Sequence, residues 1–577
     1  MTTFTLLSRA SGAGSGFSRF ARFSRFARYR QDGLLFIVAL YWTFSANGLF
    51  LKQALEGRQA TDPHTWAYGL ALASAVTALH WFLLALVCHG RALRTMLALM
   101  VLSTAIASHF MQQYGVYLDP SMLRNALKTD PHEAAELMNV ALLRHLILHA
   151  GPPLALIWLT PFQPAPWGTR WRSRAVQLLI ALAILLVSVY AVFQPLSSWM
   201  RNHKEARYLI TPANVVWSLG RSLSREAQGA SLPREPMGQD AQPGPSWRTA
   251  GKPRVLVLVV GETARAANWG LSGYARATTP QLARHQVVNF ASVQSCGTNT
   301  EVSVPCMFSA IGRRDYDEDR IRRQESLLHV VARAGVKVTW RDNQSGCKGV
   351  CDGLPTERPS PRDSPTLCED GRCLDEALIT QLPAYLNKAS GVQLLVLHQL
   401  GNHGPAYHRR YPRRFAKFLP DCRKDDLQAC SPQEIINAYD NALLYTDHVL
   451  SSVIAQLKAH EASVDSALIY VSDHGESLGE SGLYLHGMPY PIAPQEQTRV
   501  PMVMWLSDGW AHATGTSMAC LRERARQPAS HDHLFHTVLT MLDVRTRLQD
   551  SAWDLAGPCM TRQVYRIVRR MAAGSQS

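Results

Sequence analysis

At 577 residues the chain is too long for a single hydrophobic core, and two or more domains are expected. Its formal charge of +15, from 59 Lys and Arg against 44 Asp and Glu, calls for an anionic partner, and long apolar runs in the same chain favour lipid over nucleic acid. The mean hydropathy of -0.09 averages two unlike parts, apolar up to about residue 195 and α/β-like after about 225, which excludes a wholly soluble protein.

The first stretch, SRFARFSRFARYR, sets Arg19, Arg22, Arg25 and Arg28 three apart with aromatics alongside. It reads either as a cytoplasmic arm drawn to anionic headgroups or as a low-complexity extension that only fixes topology. No small-residue cleavage site follows the next apolar run, so this is not a cleavable signal peptide. Five segments are then long and apolar enough to span a bilayer: 34–52, 66–88, 92–112, 139–161 and 175–194. The third ends in polar residues, His109, Gln112 and Gln113. Arginines flank one side (Arg91, Arg94, Arg170, Arg172, Arg174) and acids the other (Glu56, Asp62, Asp119, Asp130, Glu133, Glu136). The positive-inside rule puts the amino terminus in the cytoplasm and, after five crossings, the carboxyl half outside. Between the third and fourth spans, Asn125, Thr129 and Glu133 recur every four residues and stack on one face of a short helix, which periodicity alone reads as a solvated face. Residues 199–221 have the Arg, Lys, Trp and Tyr of an interfacial segment, and 222–252 form a Pro/Gly/Ser-rich linker.

The outer part repeats a strand followed by polar residues. The apolar run 255–260 meets Gly261 and Glu262, and 336–340 meets Arg341, Asp342 and Asn343. The run 392–400 leads to Gly401, Asn402 and His403, and 467–472 to Asp473 and His474; 500–507 is a fifth. Helical spacing between them, as in 434–460, predicts a largely parallel sheet covered on both faces. Ligands of such sheets sit beyond the carboxyl ends of the strands, so Glu262, His398, His403, Asp473 and His474 line one edge. His486 follows in a glycine-rich loop. This donor set suits zinc or manganese. Of eleven cysteines, Cys88 alone lies in the apolar part, and the other ten, an even number and often in close pairs, suit disulfides in an oxidising compartment. Cys347/Cys351, Cys368/Cys373 and Cys422/Cys430 are the clearest pairs, leaving Cys520 and Cys559, while a Cys296–Cys306 bridge would hold a hydroxyl-rich loop still. That loop offers Thr298, Thr300 and Ser303, and a fixed hydroxyl beside a carboxylate suits a metal-activated nucleophile; spacing leaves the choice open.

Five stretches carry a resemblance: GETARAANWGLSGY, SCGTNTEVSVPCMFS, DNQSGCKGVCD, LHQLGNHGPAY and SDHGESLGESGLYLHG. In this order they closely resemble the phosphoethanolamine transferases of Gram-negative inner membranes, a group that includes the lipid A enzymes and the mobile colistin-resistance enzymes. The resemblance covers most of the chain and implies a five-span α-helical membrane domain plus an α/β periplasmic domain of the alkaline phosphatase/sulfatase type. The expected division is an arm at 1–33, membrane helices at 34–195, an interfacial bridge and linker at 196–252, and a periplasmic catalytic domain at 253–577. By matching motif, Thr300 is the nucleophile and joins Glu262, Asp473 and His474 as ligands of one zinc. His403, His486 and Lys348 match residues tied to a second zinc or to substrate, and His398 is set with them. The resemblance also turns Asn125, Thr129 and Glu133 into contacts for a lipid substrate. It implies phosphatidylethanolamine as donor and lipid A as acceptor, with lowered polymyxin susceptibility, in a monomer of the inner membrane. Core heptose or a periplasmic glucan are alternative acceptors, and a glycerophosphate transferase or a sulfatase-like hydrolase are alternative activities. The arginine–aromatic arm departs from the family pattern.

Overall fold

The computed structural model describes residues 33–88, 92–160, 167–229, 234–248, 250–362, 364–369 and 371–560. The arginine–aromatic arm lies outside them. The chain forms two compact units. One contains the residues up to Gln112 and Leu142–Val216; the other contains Gln113–Ala141 and the chain from Trp217 onward. The loop between the third and fourth spans therefore groups with the α/β part, which a division at 195/196 does not anticipate.

In the helical unit, α3 (Pro63–Val87), α4 (Leu93–Tyr114) and the later α9 (Trp167–Ala191) hold windows long and apolar enough to cross a membrane. The other two expected spans are not single helices. The first is α1 (Gly33–Ser45) and α2 (Gly48–Leu55), bent by 56°. Asn47 sits at the break, its Nδ2 donating to the carbonyls of Trp42 and Thr211 and its Oδ1 accepting from Thr211 N. A side chain that takes a helical carbonyl competes with the backbone ladder. The fourth is α7 (Val140–His149) and α8 (Gly151–Leu159), bent by 40° where Pro152 and Pro153 remove two N–H donors. The polar end of α4 is accommodated by neighbours: Gln112 Nε2 donates to Ser45 O, and Ser108 Oγ lies 3.1 Å from His145 Nε2.

The loop 114–137 also departs from the single helix expected. It forms α5 (Pro120–Leu127) and α6 (Pro131–Leu137), capped by Asp119 and Asp130. Proline disfavours helical geometry in the residue before it, so Asp130–Pro131 ends one helix and starts another. Thr129 falls between them and donates to Asn125 O.

The second unit is built on an eight-stranded sheet. Its strands are β1 (Arg254–Gly261), β2 (Val288–Gln294), β3 (Lys337–Asp342), β4 (Thr356–Glu357), β5 (Val392–His398), β6 (Asp465–Ser472), β7 (Arg499–Leu506) and β8 (Ala529–Ser530). They lie in the order β8-β2-β7-β6-β1-β5-β3-β4. Central β1 pairs in parallel with both β5 and β6, and every residue of it is buried. Alternation sends Leu256, Leu258 and Val260 to one core and Val255, Val257 and Val259 to the other. The strand read at 500–507 is β7, and it runs antiparallel to both neighbours. Strand β2 was not legible as a strand in the sequence. Its carboxyl end lies at the same sheet edge as those of β1 and β6 and feeds the loop that carries the candidate nucleophile. Helix α10 (Thr300–Met307) follows that loop, α11 (Pro432–Ala459) covers one face behind a Ser431/Glu434 capping box, and α12 (Asp532–Met541) packs on the other. Five disulfides join Cys296–Cys306, Cys347–Cys351, Cys368–Cys373, Cys422–Cys430 and Cys520–Cys559, and Cys88 is free and buried.

Candidate active site and metal centre

The ends of β1 and β6 are hydrogen-bonded neighbours, so Glu262 and Asp473 emerge side by side. Thr263 N donates to Asp473 Oδ1 at 3.1 Å and its hydroxyl to Glu262 Oε1 at 2.6 Å. To do this Thr263 adopts a left-handed backbone (φ 60°), a strain of the kind found at functional sites. On the far side, Gly401 comes so close that a Cβ would lie 2.5 Å from the Glu262 carbonyl, which only glycine allows.

His474 closes the group. Its Nδ1 lies 2.9 Å from the Gly475 carbonyl, which fixes Nδ1–H as the donor and turns Nε2 inward. Nε2 faces Glu262 Oε1 at 3.3 Å, Asp473 Oδ2 at 3.3 Å and Thr300 Oγ1 at 3.4 Å. Thr300 Oγ1 is also 3.2 Å from Glu262 Oε2. Glu262, Asp473 and His474 are completely buried, and Thr300 is nearly so. The other two candidate hydroxyls turn away: Thr298 donates to Met488 O and Ser303 to Asp473 O.

The electrostatics of the group suit a cation. Burial, then the charge of Glu262, pushes the Asp473 carboxyl up to about 6. Burial opposes a charge on His474, yet the two carboxylates raise it to about 10. Burial would likewise raise Glu262, but the His474 contact holds it below the ordinary range. Two carboxylates thus converge on one imidazole, and among the described residues Asp473 Oδ2 accepts no hydrogen bond. Glu262, Asp473 and His474 offer ligand atoms all within 4.8 Å of one another. A buried carboxylate oxygen that accepts no hydrogen bond, beside an imidazole nitrogen turned inward, fits a divalent metal, which would replace the proton that the two carboxylates hold there.

The remaining sequence candidates fall into three places. His403 and His486 stand beside the group, with rings 5.3 Å apart and His486 4.3 Å from His474. His403 Nε2 is 4.0 Å from Glu133 Oε2, so the α6 loop reaches the site through Glu133. His486 Nδ1 lies 3.2 Å from Glu476, whose carboxyl burial pushes up to about 8. Lys348 Nζ is 3.4 Å from Glu301, next to Thr300 in sequence, and donates to Ser345. His398 stands one pair removed: its Nδ1 is 2.8 Å from Asp342 and its ring packs edge-on against Trp340. Two residues passed over in the sequence also matter. Gln344 Nε2 donates to Glu262 Oε2 at 3.1 Å, and Glu476 orients His486. The signal was present, since Gln344 follows the β3 end and Glu476 sits two residues after His474.

The sheet, the carboxylate–histidine group and the buried threonine define a sulfatase-type site, and residues 254–544 match the Sulfatase family. Residues 76–227 match the family described as Phosphoethanolamine transferase EptA/EptB. The chain is 36% identical over 529 residues to Phosphoethanolamine transferase EptA of Escherichia coli (strain K12), covering 91% of this chain and 96% of that protein. It is 38% identical over 536 residues to Phosphatidylethanolamine transferase Mcr-1 of Escherichia coli, covering 89% and 96%. The integral membrane protein lipooligosaccharide phosphoethanolamine transferase A of Neisseria meningitidis superposes with a TM-score of 0.84 at 36% identity, over 92% of this chain and 98% of that one. The chain belongs to the EptA/Mcr family of phosphoethanolamine transferases.

Proposed function

We propose that this protein transfers phosphoethanolamine from phosphatidylethanolamine to a phosphate of lipid A, through a phospho-threonine at Thr300. The observation that carries the reading is the buried Thr300 hydroxyl 3.2 Å from Glu262 and 3.4 Å from His474, in a group with a carboxylate oxygen to spare. Glu262, Asp473 and His474, with Thr300, are the residues that would hold zinc, which when bound supplies the positive charge that lowers the pKa of a hydroxyl.

Glu262 accepts from the Thr300 hydroxyl and aims its oxygen. As Thr300 Oγ1 bonds to phosphorus, its proton passes to the Glu262 carboxylate that accepts its hydrogen bond, the bond from phosphorus to the diacylglycerol oxygen breaks, and that oxygen takes a proton from the His403–His486 pair. An oxygen of the lipid A phosphate, giving its proton to the His403–His486 pair, then attacks the same phosphorus; the Thr300 Oγ1–phosphorus bond breaks and Glu262 returns the proton to Thr300. Lys348 balances charge on the phosphoryl oxygens, the main contribution a protein makes to phosphoryl transfer. Asn125, Thr129 and Glu133 contact the donor lipid. The amino terminus is cytoplasmic and the catalytic domain periplasmic, and added ethanolamine offsets lipid A phosphate charge and weakens polymyxin binding.

Mass spectrometry tests each part. The purified protein should carry a phosphoethanolamine adduct on Thr300, and lipid A from a susceptible Gram-negative host expressing it should gain the same mass. Thr300→Ala should cut transfer on the order of 10³-fold or more while retaining metal and melting temperature. Transfer that survives Thr300→Ala but not Thr298→Ala refutes the nucleophile, and a mass found only on core sugar or glucan refutes lipid A.

A further inference from the structure

On α6 the side chain of Glu136 is buried, at 2% exposure, while Pro131, His132 and Ala135 are exposed. It meets two arginines from distant loops of the same unit. Glu136 Oε1 accepts from Arg372 Nη1, and Oε2 from Arg410 Nη2 at 2.5 Å. Each arginine makes a second bond that extends the link. Arg372 Nη2 donates to the His132 carbonyl on α6, and Arg410 Nε donates to the His403 carbonyl at 2.6 Å. Glu133, three residues before Glu136 on the same helix, is the residue that faces His403. Beside them is a cavity of about 130 Å³, lined by Glu133, Gln344, Arg358, Arg372 and Arg410. Gln344 reaches Glu262 directly, so the cavity borders the candidate active site.

We infer that Glu136 is a positioning residue of the transfer reaction. It ties the α6 loop to His403 through Arg410 and so holds Glu133 in place as a wall of the cavity beside Glu262. This rests on the transferase reading above. Two guanidiniums share this one carboxylate, so losing its charge leaves the buried Arg410 beside the partly exposed Arg372 with their repulsion no longer offset, and the loop is pushed off the catalytic sheet. Such a displacement acts on substrate placement, and a shift of an ångström in a positioning group is enough to cost one or two orders of magnitude.

The experiment uses Glu136→Gln in the full-length protein, in nanodiscs containing phosphatidylethanolamine. Four quantities are measured: KM for the donor lipid, kcat, bound metal, and the rate of tryptic cleavage after Lys128. The expected result is cleavage faster by about tenfold and KM raised about tenfold, with kcat within about threefold and metal content unchanged. Arg410→Gln should reproduce the KM rise. Wild-type cleavage and KM in Glu136→Gln overturn the proposal. So does faster cleavage with an unchanged KM, which leaves a merely structural clamp, and so does a KM rise accompanied by metal loss. If the wild-type chain shows no transfer, the transferase reading fails, and the cleavage rates still report whether Glu136 holds the loop.

Discussion

Two buried charge clusters in the catalytic unit make an instructive pair. At Glu262–Asp473–His474 two carboxylates share one imidazole, and Asp473 Oδ2 accepts no hydrogen bond among the described residues. At Glu136 one carboxylate receives two guanidiniums, with both oxygens bonded and both arginines extended to backbone carbonyls. Burying an ion is costly unless charge and hydrogen bonds compensate it. In the second cluster each charged group already has a partner of opposite sign within the protein, so it calls for no metal ion. The first is left short of positive charge, so it reads as a place for a cation from outside.

The largest effect expected from this comparison is on metal removal. Asp473→Asn should lose metal and transfer together. In chelator, however, it should melt above the metal-stripped wild type, by roughly 1–4 kcal/mol in stability, because one of two carboxylates crowded into a buried site is gone. Calorimetry of both proteins with and without chelator decides it, and a stripped wild type that melts at or above the variant breaks the comparison.

A smaller effect concerns the nucleophile loop. The Cys296–Cys306 bridge closes a loop of sequence separation 10, so replacing both cysteines by serine should cost about 2–3 kcal/mol by the chain-entropy estimate. The urea midpoint reads that loss, and the yield of Thr300 adduct should fall further than the population of folded protein does. An adduct yield that tracks folding alone would show that the bridge does not hold Thr300.

The smallest effect sharpens the comparison with a third kind of carboxylate. Asp447 lies on α11, accepts from the backbone N–H groups of Gln281 and Leu282, and is pushed by burial from 3.8 to about 6. A folded value above the unfolded one means that the folded protein binds the proton more tightly. The stability this contributes is fully present below about pH 4 and is lost as pH rises through 6. Thermal melts from pH 4 to 7 should show Asp447→Asn gaining on the wild type across that window, and a constant difference would contradict the assignment.

Much of this site was legible because its residues stand at strand ends. An apolar run that stops at Gly261–Glu262 or at Asp473–His474 announces a buried strand and a polar edge. Parallel pairing of β1 with β6 then makes the two acids neighbours, as the sequence reading expected. The loop chemistry was less legible. Thr298, Thr300 and Ser303 are equivalent in spacing, and only the resemblance singled out Thr300. In the fold, the carbonyls of Met488 and Asp473 occupy the other two hydroxyls. Where the reading went astray, local chemistry overrode a pattern. Asp130–Pro131 cut the helix that the four-residue repeat implied, Pro152–Pro153 bent the fourth span, and Asn47 opened the first.

By itself the sequence determined the class of architecture, the cysteine pairs and the donor types, since hydrophobic period, parity and side-chain chemistry are properties of short stretches. Tertiary structure alone decided which way β7 runs, which hydroxyl faces the metal group, and that Glu136 is buried between Arg372 and Arg410. Those partners lie 236 and 274 residues away, and no local pattern encodes a charge whose compensation is that distant.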